Sequence, residues 1–256
     1  MKLVILLTLV FSVSQVVAKK ATAAKSKGLR NQTTATQDLK TAKFRGGNIY
    51  EMNSEKKNLI FVMKAELKKL MNGKTVFSSF YFDTDKNEIM TEEASFDHLN
   101  LKKYVIHQKQ INEIYDLEVS GNKMNFSVTK DGQTEKIIRD LPENLVIGPS
   151  FVPFLQKHWS EIQNQKKVEA ALAVLDRMDT YRFEFEKIRD LKSEGQDRVI
   201  VRMKPGNTLI SSVVRPVYFV VTPDGSRILE LKGRMLPKRK VGSRWEDFDG
   251  EAVFMY

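Results

Sequence analysis

Residues 59–82 read LIFVMKAELKKLMNGKTVFSSFYF, and this stretch sets the expectation for the fold. Leu59, Phe61, Met63, Ala65 and Leu67 fall on one side of a period-2 ribbon, with Lys64, Glu66 and Lys68 on the other. Asn72-Gly73 then supplies a hairpin signal, because tight hairpin turns need residues that tolerate positive φ. TVFSSFYF at 75–82 follows as the return strand, and Asp85-Lys86-Asn87 turns the chain into IMTEEASF.

The same rhythm continues outward. Tyr115, Leu117 and Val119 alternate up to Gly121-Asn122, and Met124, Phe126 and Val128 alternate back to Asp131-Gly132, ahead of Ile137 and Ile138. Further on, Tyr181, Phe183 and Phe185 alternate with Arg182, Glu184 and Glu186, and Val199, Val201 and Met203 with Arg198 and Arg202. PVYFVVTPDGSRILELKG at 216–233 is a hairpin around Asp224-Gly225. Only Pro142 to Pro153 breaks the pattern. There Ser150 is placed to cap a helix over 150–167, whose apolar positions Phe151, Phe154, Leu155, Trp159 and Ile162 have helical spacing. Pro153 is tolerable in its first turn. A second, short helix is expected after Asn207, ended by Pro216.

These elements predict an α+β, mainly β domain. The expected form is a curved antiparallel sheet or partly open β-barrel of roughly nine or ten strands, wrapped around one amphipathic helix. The expected organisation is a signal peptide at 1–18, a disordered basic linker at 19–45, one β-rich domain at 46–240 and a C-terminal extension at 241–256. Lys2, the apolar run from Leu3 to Val17, and small residues Val16 and Ala18 at the −3 and −1 positions form the three parts of a secretory signal. No later window is long and apolar enough for a transmembrane helix. Export to a periplasm is the expected localisation, with an extracellular destination as the alternative. The complete lack of Cys suits the periplasm better.

The formal charge of +10 is uneven. Residues 19–45 carry eight basic side chains against Asp38 alone, while 46–256 is close to neutral. Nucleic acid is therefore not an expected partner of the folded part. The linker could touch anionic lipid headgroups peripherally.

No catalytic constellation assembles. With no Cys, thiol chemistry is excluded, and His98, His107 and His158 lack metal-ligand spacing. Asp83-Thr-Asp85-Lys-Asn87 begins like a calcium loop, but Glu88 and Ala94 stand where Gly and Glu are needed. No phosphate-cradling glycine motif or hydrolase elbow is present. Carboxylate pairs such as Glu92-Glu93 read as solvated faces, as does the basic run Lys232, Arg234, Lys238, Arg239, Lys240 and Arg244 beside its acidic neighbours. The aromatic load suggests instead an apolar cavity under the sheet, a setting for binding rather than chemistry. No cofactor is expected.

Four stretches, IGPSFVPFLQKHWSEI (147–162), LDRMDTYRFEF (175–185), RMKPGNTLISSVVRPVYFVV (202–221) and RILELKGRMLP (227–237), resemble an uncharacterised family of exported bacterial proteins. In pattern the chain is also similar to domain-of-unknown-function 3108 proteins and to Lol-type lipoprotein carriers, whose curved sheet wraps a helix. The resemblance implies a fold and a compartment, and by analogy lipid carriage. It singles out Trp159, Asp176, Arg177, Arg215 and Tyr218 as ligand-site candidates, with Asp176-Arg177 alternatively a structural ion pair. The function expected is that of an exported, soluble, non-enzymatic protein binding an apolar ligand or lipid in the cell envelope. The alternatives are an envelope assembly factor working through protein contacts, and a small outer-membrane β-barrel.

Overall fold

Alternating side chains place one face of each ribbon inward, and the strands follow that alternation closely. In the computed structural model, residues 45–70, 73–193, 195–207 and 214–256 are described. The expected signal peptide, nearly all of the basic linker and the short helix after Asn207 lie outside them.

The chain first runs as an antiparallel meander. It comprises β1 (Gly46–Glu51), β2 (Leu59–Lys69), β3 (Lys74–Phe82), β4 (Glu88–Asp97), β5 (Asn100–Gln108), β6 (Glu113–Ser120), β7 (Lys123–Lys130) and β8 (Gln133–Asp140). A crossover carries the short β9 (Leu145–Val146) and then the helix α1 (Phe151–Gln163). A second meander follows: β10 (Val168–Val174), β11 (Asp179–Ser193), β12 (Gln196–Pro205), β13 (Val217–Val221) and β14 (Ile228–Arg234). A separate hairpin of β15 (Arg239–Val241) and β16 (Arg244–Glu246) precedes the last strand, β17 (Asp249–Met255).

Fifteen strands share one sheet, in the order β8-β7-β6-β5-β4-β3-β2-β1-β17-β14-β13-β12-β11-β10-β9. The expectation of nine or ten strands was therefore too low, although mainly β, with one α-helix among the described residues, holds. β1 and β17 lack a long alternating signature, and β10 reads VEAALAV, whose alanines carry little strand preference. The segment expected as a C-terminal extension supplies β17, which lies between β1 and β14 and joins the two meanders.

The sheet is not closed by hydrogen bonds, since β8 and β9 are its ends. They are brought together across a seam. Arg139 of β8 lies 3.6 Å from Asp179 of β11, and a 3-10 turn at Leu175–Arg177 packs against β6 and β7.

α1 packs on β10 and β11 through Phe151, Val152, Phe154, Leu155 and Ile162, all buried. Its ends differ from expectation for identifiable reasons. Ser150 is itself helical, with φ −79° and ψ −8°, and its Oγ accepts the Ile147 N–H at 2.8 Å rather than a donor of α1. A 3-10 turn at Gly148–Ser150 thus precedes the helix. The helix stops at Gln163 because the Gln165 N–H donates to Ile162 O and the Lys166 N–H to Glu161 O, each at 3.0 Å. Gln165 takes φ 60°. That is a Schellman ending, with glutamine where glycine is usual.

Candidate functional site

The inward face of β3, β4 and β5 carries one charged group. Met90, Glu92, Ala94 and Phe96 alternate inward along β4, so Glu92 takes a core position and is 1% exposed. Ser79 stands directly opposite it in register. The Ser79 hydroxyl donates to Glu92 Oε2 at 2.7 Å, the Tyr81 hydroxyl to Oε2 at 2.9 Å, and the Tyr104 hydroxyl to Oε1 at 2.5 Å. Burial pushes the Glu92 carboxyl up from 4.5 to about 7, the three hydroxyl bonds pulling the other way. The same burial, together with the Glu92 charge, holds Tyr81 well above its ordinary range.

Gly148 closes this cluster. It sits at φ +44°, and a Cβ there would lie 2.8 Å from Tyr104 Oη and 2.9 Å from Glu92 Oε1. The turn leading into α1 therefore rests on the Glu92 network, and only glycine allows the approach. Reading Glu92-Glu93 as a solvated pair is corrected: Glu93 is exposed, while Glu92 is a core residue. The signal was present in the β4 alternation.

On the other side of that turn lies a cleft of about 490 Å³ at the seam. The β4–β5 and β6–β7 turns, the crossover and the first two turns of α1 form it. Its apolar surface comes from Leu99, Leu101, Val119, Leu141, Leu145 and Phe154. Among the described residues, Lys102 and Lys157 are the only charged side chains lining it, accompanied by Asn100, Asn144 and Ser150. A second cleft of about 490 Å³ is lined by Asp190, Asp197, Lys192 and Arg198 with Leu191 and Val199, so its charges offset one another.

The five residues singled out from the sequence are not brought together, and none lines the seam cleft. The Trp159 Nε1–H donates to Pro223 O at 2.9 Å, tying α1 to the β13–β14 turn. Asp176 and Arg177 sit on the 3-10 turn with N···O 3.5 Å. Burial raises the Asp176 carboxyl above its ordinary range despite the Arg177 charge. Asp176 Oδ1 is buried with no hydrogen-bond partner among the described residues. Arg215 is exposed, 3.5 Å from Asp249. Tyr218 is on β13 opposite Arg202. These contacts read as structural.

Other expectations meet a clear arrangement. Part of the aromatic set packs ring against ring under α1. Phe151, Phe185 and Phe219 pack on one another with ring centroids 5.6 to 6.3 Å apart, and Phe154 stands 4.8 Å from Phe185. The basic run is largely neutralised, by Lys232–Glu251 at 3.2 Å, Arg234–Asp249 at 2.9 Å, Lys238–Asp247 at 2.7 Å and Arg239–Glu51 at 2.6 Å. His158 lies between Glu161 at 2.9 Å and Asn144 at 3.4 Å, bracing the crossover against α1. The Asp83 carboxylate accepts from the Asn87 backbone N–H at 2.8 Å, closing a hairpin turn. Sequence reasoning missed the cleft residues because they come from three separate connections, one of them carrying α1.

No family model matches the chain, and no curated protein does. A solved structure described as a beta-barrel-like protein of domain of unknown function DUF1849 from Brucella abortus is similar at 6% identity, covering 84% of this chain and 96% of that one. Its TM-score of 0.44 is too low to support a shared fold. Neither the domain-of-unknown-function 3108 family nor the Lol-type carriers are identified, and the resemblance holds no further than an uncharacterised, β-rich antiparallel protein.

Proposed function

We propose that this chain is an exported, soluble, non-enzymatic protein that shelters an apolar ligand or lipid chain in the seam cleft. One observation carries the reading: the cleft of about 490 Å³ with six apolar side chains, inside the roughly 300–1,000 Å³ range of small-molecule sites. Export rests on residues 1–18, and the envelope is the compartment that such a signal favours. The binding role replaces a cavity among the core aromatics with an open cleft beside them. Glu92 does not argue for catalysis, because it is sealed from solvent and already accepts three hydroxyl bonds.

An assembly role through protein contacts is the second reading. It draws on β8, an edge strand exposed at every position but Ile137, with Ile138 at 65%. Crosslinking through residue 138 tests it. An outer-membrane barrel fits poorly, since the strands put apolar residues inward and Lys64, Lys68, Glu118 and Arg182 outward. Lipid-embedded barrels have the reverse distribution.

The binding reading predicts that native mass spectrometry finds co-purified lipid, and that aliphatic alcohols displace cleft-bound 1-aminoanthracene. Each added methylene tightens binding about fourfold until the cleft is full. Leu99 is 41% exposed, so Leu99→Glu leaves the fold intact while weakening displacement roughly tenfold. No displacement at any chain length would remove the reading.

A further inference from the structure

Among the described residues, two lysines line the seam cleft and no Asp or Glu does. We propose that the cleft takes a single-chain amphipath with an anionic head, its chain on Leu101, Leu145 and Phe154 and its charge held by Lys102 and Lys157. This rests on the cleft being the ligand site, and it adds the chemical class of the ligand.

The pairing pattern of the neighbouring lysines carries the argument. Lys103, next along β5, already has Asp116 at 3.0 Å, and Lys167, just past α1, has Glu184 at 3.5 Å. Neither Lys102 nor Lys157 has a carboxylate within 4.0 Å among the described residues. The Lys157 Nζ donates to Asn144 Oδ1 at 3.1 Å, which anchors one ammonium at the cleft wall and leaves its other two N–H donors unspent. Leu101 and Lys102 of β5 both line the cleft, Leu101 buried and Lys102 exposed. Two positive charges beside apolar surface, without a counter-charge in the lining, leave a local positive potential that an anion relieves. A cationic head is repelled there, a zwitterionic head has its gain offset by its own cation, and a neutral head gains only ordinary hydrogen bonds. Ser150 and Asn100 add donors for the oxygens of the head.

The test compares dodecanoate, dodecan-1-ol and dodecylamine as displacers of 1-aminoanthracene at neutral pH, on the full chain and on the double variant Lys102→Gln/Lys157→Gln. Both lysines are exposed, so the variant folds. The expected result is that dodecanoate binds about tenfold tighter than the alcohol, the scale of one exposed hydrogen bond to a charged group. That margin shrinks as salt is added, and the variant binds acid and alcohol alike. Equal binding of acid and alcohol, unchanged in the variant, overturns the anionic head while leaving the cleft as an apolar site. Tighter binding of the amine overturns it as well. Displacement by none of the three removes the site and the inference together.

Discussion

Three hydroxyl donors converge on Glu92, and burial still outweighs them, raising the carboxyl from 4.5 to about 7. In the native state the neutral acid is therefore favoured across a window where the unfolded chain is already ionised. The stabilisation is complete below pH 4.5 and is lost as the pH rises from there through about 7. At full ionisation the loss is about 3 kcal/mol. Glu92→Gln removes the titration. Urea unfolding at pH 4 and pH 8 should therefore show the variant gaining about that amount relative to the parent protein between the two values. A difference that does not change with pH would show that Glu92 ionises normally. Gly148 is the other decisive single residue, since its φ of +44° and its approach to Tyr104 and Glu92 admit no side chain.

At the scale of elements, α1 is held by a ring cluster and a pin. Phe185 meets Phe151, Phe154 and Phe219 at centroid distances of 6.0, 4.8 and 6.3 Å. Phe185→Ala should cost about 3–5 kcal/mol in chemical denaturation, as large-to-small changes in a packed core do. The pin is Trp159, whose ring covers Gly225. Gly225 has φ +69°, and a Cβ there would come within 2.4 Å of the indole. Gly225→Ala combines backbone strain with that clash, and a loss of about 1–3 kcal/mol is expected in the same assay. Holding α1 in place also holds Phe154 and Lys157 at the cleft. Both variants should weaken ligand displacement as they loosen the helix.

For the molecule as a whole, β17 decides whether two meanders become one sheet. It pairs with β1 from Gly46↔Met255 to Glu51↔Gly250, and with β14 from Glu230↔Val253 to Arg234↔Asp249. Ala252 and Phe254 are buried between them. Removing residues 249–256 exposes the facing edges of β1 and β14 and uncovers the core beneath. A native domain is stable by only about 5–15 kcal/mol, so the truncated chain should lose its cooperative thermal transition, as followed by circular dichroism. A sharp transition retained near the parent midpoint would show that the halves fold without their join. The rolled sheet also creates the seam, and with it the cleft formed by three connections separate in the chain.

Alternation and turn chemistry were readable before any coordinates. They specified strands such as β2, β3, β6, β7 and β11, the helix beginning at Phe151, and the near-neutral charge of the body, because each depends on neighbours within a few positions. The short strands β1, β9 and β17 were not readable, since their pairing comes from partners elsewhere in the chain, as far apart as Gly46 and Met255, rather than from their own composition. The same holds for the site. Glu92 looked solvated beside Glu93 until packing placed it under three hydroxyls, and no pattern in the sequence linked Lys102 to Lys157, which only the seam sets on one apolar cleft. Burial and charge pairing are properties of what lies across space, and only the folded arrangement brings those groups together.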